Sequence, residues 1–139
     1  MSQKIIRSAL ESRLNTWALA QSPPIPIAWQ NRPFTPPIQA RYLRAFLLPA
    51  ETQDIGMTDD LTAEIGLMQI SVCVPDGSGS TEMETLVESI IGLFPMALLI
   101  PKSGMNVSIT RTPYASPAQQ EPGLYVVPVN IRYWATSAT

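Results

Sequence analysis

Histidine is absent from this chain of 139 residues, and there is one cysteine, Cys73. Without histidine, no triad with an imidazole base can form. A structural zinc site lacks its usual nitrogen ligands, and one thiol cannot replace them. A lone cysteine also excludes a disulfide within the chain. Charge is scarce: 14% of residues are charged, against about 25% in an ordinary soluble domain. Ser, Thr, Gln, Pro or a partner protein must therefore cover much of the surface. Long apolar runs are missing too. The longest, residues 93–100, is bounded by Pro101, whereas a bilayer span needs about 20 residues. The N-terminal MSQKIIRSALES interrupts any signal-peptide core with polar residues. A net charge of −2 makes no electrostatic case for nucleic acid. Glycines number 7 against 14 prolines, which favours rigid, extended connections. With 45% hydrophobic residues, the sequence reads as a soluble, cytoplasmic, single domain over 1–139 that is not an enzyme.

The apolar pattern supplies the elements. Ile6, Leu10, Leu14 and Trp17, with Ala9 beside them, form one stripe at helical period, predicting a helix over 2–20 capped by Ser2. Residues 22–38 hold six prolines, which forbid a helix and push their predecessors toward extended backbone. Trp29 and Phe34 argue against disorder there, so an ordered arm over the domain or over a neighbour is expected. Ile25, Ile27 and Trp29 alternate, which allows a short edge strand.

Residues 41–48 and 65–74 read as strands of a hairpin, joined by a polar loop over 49–64. After the PDGSGS turn, Met83, Leu86, Val87, Ile90, Ile91 and Phe94 mark a core-facing helix. Thr81 and Glu84 have capping-box spacing at its start, and Pro95 ends it. Residues 105–111 and 123–135 complete the strands, with Pro128 marking an edge or bulge. The expected fold class is α+β: a two-layer sandwich, order α-β-β-α-β-β. Two helices pack on one face of a largely antiparallel four- to five-stranded sheet.

Three features point to partners. The sheet's second face should be polar, yet it mixes Tyr42, Phe46, Leu48, Leu67, Val126 and Trp134 with Arg44, Gln69, Ser71 and Arg132. Either the arm covers it or another subunit does. Charge is also segregated. Residues 46–100 carry nine acids and no base, giving −9, while the remainder carries nine bases and two acids, giving +7. That arrangement suits head-to-tail contact between copies. Finally, the loop acids Glu51, Asp54, Asp59, Asp60 and Glu64 lack the spacing of a cation-binding loop and are read as a docking element, not a metal site. Cys73 has no base to activate it. DGSGS at 76–80 lacks the lysine of a phosphate loop. No catalytic, cofactor-binding or metal site is predicted.

The segments IAWQNRPFTPP (27–37), YLRAFLLPAET (42–52), GLMQISVCVPDGSGS (66–80) and GLYVVPVNIRYWA (123–135) together resemble small phage and prophage proteins related to the tail terminators of long-tailed phages. The pattern includes Trp29, Asn31, Pro33 and Phe34. The resemblance implies an α+β structural protein that caps the tail tube and stops its polymerisation. It also implies a ring, commonly of six subunits, that meets the tube protein and the head-completion proteins. Such a protein would belong to the virion tail and assemble in the bacterial host cytoplasm. Neither a membrane nor nucleic acid is an expected partner. The contact residues expected are Arg44, Phe46, Arg132 and Trp134 on the open sheet face, Glu51, Asp54, Asp59 and Asp60 in the loop, and Trp29 and Phe34 in the arm. A competing expectation is a small adaptor or small-molecule-binding domain of a cellular pathway, with an apolar pocket lined by Trp29, Tyr42 and Trp134.

Overall fold

The computed structural model describes residues 3–54, 62–77 and 79–137, and only the backbone at 3, 51–54, 62 and 137. Helix α1 (Gln3–Leu19) buries Ile6, Ala9, Leu10 and Leu14, the stripe its sequence period requires. Trp17 lies at the margin of that core, partly buried. The expected Ser2 cap falls outside the described residues. Helix α2 (Thr81–Leu93) buries Met83, Leu86 and Ile90. Its start differs from the capping-box expectation. Ser80 is the N-cap and makes no side-chain cap bond, while the Glu84 N–H bonds the Ser80 carbonyl at 2.9 Å. Arg13 Nε on α1 donates to the Leu93 carbonyl at 2.7 Å, which places a cation at the negative end of α2.

The strands are β1 (Ile27–Trp29), β2 (Tyr42–Asp54), β3 (Thr62–Pro75), β4 (Leu99–Lys102), β5 (Met105–Ile109), β6 (Tyr114–Ala115), β7 (Gln119–Glu121) and β8 (Leu124–Ser137). They form one curled, mixed sheet in the order β1-β2-β3-β8-β5-β4, with β6 and β7 also on β8. This corrects the expected four- to five-stranded, largely antiparallel two-layer sandwich. The sheet has eight strands, and β1 pairs parallel to β2. Three of the added strands, β4, β6 and β7, have two to four residues each. Strands that short present no alternation to read. The fourth, β1, is the arm's Ile27–Trp29 segment.

The second correction is to the polar loop over 49–64. Most of it is strand, because β2 runs to Asp54 and β3 begins at Thr62. A register shift between Pro49 and Thr52 bends the hairpin there. Strand β8 is central: one edge pairs β3 along its length, while the other takes β7, β6 and β5 in turn. Pro128 sits between the stretches paired to β7 and β6, where its carbonyl accepts from the Ser116 N–H at 2.8 Å. Its missing donor falls in the break between two short partners, so a proline fits inside a central strand.

The core lies between the helices and one sheet face. Leu43, Ala45 and Leu47 (β2), Met68, Ile70 and Val72 (β3), and Val129, Ile131 and Tyr133 (β8) meet the helix side chains there. Gly66 and Tyr133 are cross-strand partners on this face. A Cβ at Gly66 would run into Tyr133 Oη, reach Tyr133 Cζ at 2.6 Å and approach the Leu48 carbonyl oxygen at 2.9 Å. Gly66 thus makes room for the largest fully buried side chain among the described residues.

Candidate functional site

The face opposite the helices is built by alternate residues of β2, β3 and β8. Register places Tyr42, Cys73 and Val126 in one row, then Arg44, Ser71 and Pro128, then Phe46, Gln69 and Asn130, then Leu48, Leu67 and Arg132. Ile65 and Trp134 follow, with Ser108 of β5 beside them.

The two ends of this face differ. At the first, the arm closes over the sheet. The Phe34 ring lies 5.5 Å from the Tyr42 ring, and Tyr42, Cys73 and Val126 form a small second core. Arg44 grips Glu121 of β7 in a bidentate pair, both contacts at 3.0 Å, and donates to Tyr42 Oη at 3.2 Å. The pair lowers the Glu121 pKa below the usual carboxylate value. Burial pushes the Cys73 thiol up, against the opposing effect of Arg44. Cys73 is thus held as a neutral thiol, the opposite of what a nucleophile needs.

The middle is a closed polar network. Gln69 Nε2 donates to Asn130 Oδ1 at 3.1 Å, and Asn130 Nδ2 donates to Ser116 Oγ at 2.7 Å. Asn130 is buried beneath the β6 segment with its polar atoms used, as burial of an amide requires.

The far end is open and apolar. Phe46, Leu48 and Trp134 are exposed by 37%, 44% and 37%, and Ile65 and Leu67 are half-buried among them. A shallow depression of about 240 Å³ is lined by Leu48, Ile65, Leu67, Thr110 and Arg132. Arg132 is exposed within this apolar surround. The Arg111 guanidinium lies 4.9 Å from the Tyr114 ring centre, on the same face, because Tyr114 pairs with Asn130.

On one side of the sheet the short edge strand β1 covers β2 only as far as Ala45. The Leu43 and Leu47 N–H groups point outward from β2, to the Pro26 carbonyl and the Gln30 side-chain oxygen. The next outward position is Pro49, which has no N–H. On the opposite edge, β4 turns into β5 through Ser103 and Gly104, both at positive φ (48° and 83°), the geometry of a two-residue hairpin. That turn aims Pro101 outward. Proline at outward positions is a device against strand addition.

The expected contact residues therefore separate. Phe46, Arg132 and Trp134 gather at the open end. Arg44 is engaged with Glu121, and Phe34 packs against the sheet. Trp29 lies on the helix side, lining a cleft with Glu11, Ser12, Asn15 and Arg32. Glu51 and Asp54 fall in β2, and Asp59 and Asp60 lie outside the described residues. The pocket of Trp29, Tyr42 and Trp134 is not formed. Trp29 is on the other side, and the Tyr42 and Trp134 rows are eight β3 residues apart, about 26 Å. Sequence reasoning missed the Arg44–Glu121 pair and the Asn130 network. Glu121 had one signal: it is one of only two acids outside the acidic stretch. Among the described residues no group of three His, Cys, Asp or Glu is placed to hold a metal ion, and no helix is long and apolar enough to cross a membrane.

A family model described as phage tail terminator protein matches residues 5–133. A solved structure whose name carries no function matches with a TM-score of 0.82 at 35% identity, over 97% of this chain and 96% of its own. No curated protein matches the sequence.

Proposed function

This chain belongs to the phage tail terminator family, and from that premise we propose that it caps the tail tube as a ring, six subunits being the expected number. The family is structural and its setting is the phage tail, among other tail proteins. The match over residues 5–133 carries the reading.

The open end of the sheet face supports it physically. Three large exposed apolar side chains grouped with a cation that has no ion pair among the described residues are characteristic of a surface that meets protein. The outward prolines Pro49 of β2, past the end of β1, and Pro101 of the edge strand β4 favour contact through side-chain faces over strand addition. In this reading, Phe46, Arg132 and Trp134 meet a neighbour. The acids Glu51, Asp54, Asp59 and Asp60 dock on the tube or head-completion side. Trp29, Phe34 and Arg44 hold the arm and face in shape. The protein assembles in the host cytoplasm before it joins the virion.

Light scattering over a range of protein and salt concentration tests the ring. Six chains of 15.2 kDa weigh about 91 kDa. A mass near that value, falling as salt rises, is the expected result. A mass of one chain at every concentration would contradict the ring and leave the family membership standing.

A further inference from the structure

The geometry points to a specific self-contact: the open sheet face of one copy receives the outer face of helix α2 of the next. The inference rests on the ring reading and deepens it.

Helix α2 buries Met83, Leu86 and Ile90 against the sheet. Glu84 and Glu88 are exposed. A helical turn apart, they lie together on one flank of that helix, on the side of the molecule opposite the open face. No basic residue occurs anywhere between positions 46 and 100. Among the described residues, the ion pairs are Arg7–Glu11 and Arg44–Glu121, so neither glutamate has one. Two like charges at i and i+4 are unfavourable on an isolated helix, and a cation from outside would relieve them. Beside them, Thr85 Oγ1 and Ser89 Oγ turn back to the Thr81 and Thr85 carbonyls, both at 2.9 Å. Those hydroxyl protons are thus already engaged within the helix, and the two carboxylates beside them are not.

The open face carries the complement. Arg132 is exposed among Leu48, Leu67 and Trp134, and Arg111 lies over Tyr114 on the same side. Neither arginine has an ion pair among the described residues. Basic and acidic surfaces on opposite faces of one chain cannot meet across a two-fold axis. They meet head to tail, the heterologous contact that closes into a ring when the rotation allows. Charges placed this way fix orientation and speed encounter.

The test is light scattering on three full-length proteins: wild type, Arg111→Glu/Arg132→Glu, and the charge-swapped protein that adds Glu84→Arg/Glu88→Arg. All four positions are exposed, and circular dichroism checks each fold. The inference expects wild type to assemble, the double variant to need at least tenfold more protein to reach half assembly, and the swapped protein to recover. A double variant that assembles like wild type, or a swapped protein that stays as weak as the double variant, overturns this contact while the ring stands. A monomeric wild type overturns ring and contact together.

Discussion

Replacing Gly66 with alanine adds one methyl group where the sheet has no room. Its Cβ would overlap Tyr133 Oη, stand 2.6 Å from Tyr133 Cζ and 2.9 Å from the Leu48 carbonyl oxygen. A gap below 3.0 Å forces movement, and neither neighbour moves freely. Tyr133 is fully buried, and the carbonyl belongs to a paired strand. Overpacking of this kind costs about 2–3 kcal/mol. The unfolding entropy of a 139-residue chain is roughly 0.3 kcal/mol/K near 60 °C, from about 2.1 cal/mol/K per residue. The Tm should therefore fall by about 7–10 °C, read by differential scanning calorimetry. The cause is checked in a Tyr133→Leu background. With the ring gone, two of the three close contacts disappear, and the same alanine should cost about 1 kcal/mol or less, a coupling that a double-mutant cycle measures. A Gly66→Ala protein within 2 °C of wild type (roughly 0.6 kcal/mol on the same conversion), or an equal cost in both backgrounds, would refute the steric argument.

Other outcomes follow from the same surfaces. Glu121 has a folded pKa held below its unfolded value by Arg44. Its contribution is therefore complete above the unfolded pKa, about 4.3, and is lost as pH falls through the lowered folded value. Glu121→Gln should lower the Tm at pH 7, and the gap to wild type should close near pH 3; a gap that is the same at both pH values contradicts the pairing. Asn130→Ala strips Gln69 and Ser116 of their partner and should cost about 1–3 kcal/mol in a urea titration. Because Cys73 is buried with a raised pKa, a thiol reagent at pH 8 should modify the unfolded chain at least tenfold faster than the native one. Arg13→Ala should loosen the α1–α2 junction by about 1 kcal/mol, through the lost bond to the Leu93 carbonyl.

How much of this was legible depends on the period of each element. The α2 stripe, Met83, Leu86 and Ile90, was readable because one helix face meets one core. So were the inward residues of β2, β3 and β8, where alternation runs long enough to be seen. Strands β4, β6 and β7 were not, since two to four residues carry no period. The hairpin's reach through 49–54 and 62–64 was hidden by polarity, which composition equates with loop, although Ala63 and Glu64 are buried between β2 and β8. The mixed second face was anticipated from Phe46, Leu48 and Trp134. Its division into a latched end and an open end was not, because the Arg44–Glu121 pair joins residues 77 positions apart. Such a contact depends on how the sheet curls, and no local spacing reports it. The absence of a base across positions 46–100 was visible from the first reading. Only the fold showed that Glu84 and Glu88 face away from Arg132.

The most direct test of the central claim is the length of tails assembled by the phage that encodes this chain, with and without it, measured by negative-stain electron microscopy. Without the chain, tubes should overrun the normal length and remain unjoined to heads, and supplying the intact protein should restore tails of one length joined to heads. Tails of normal length joined to heads in its absence would contradict the account.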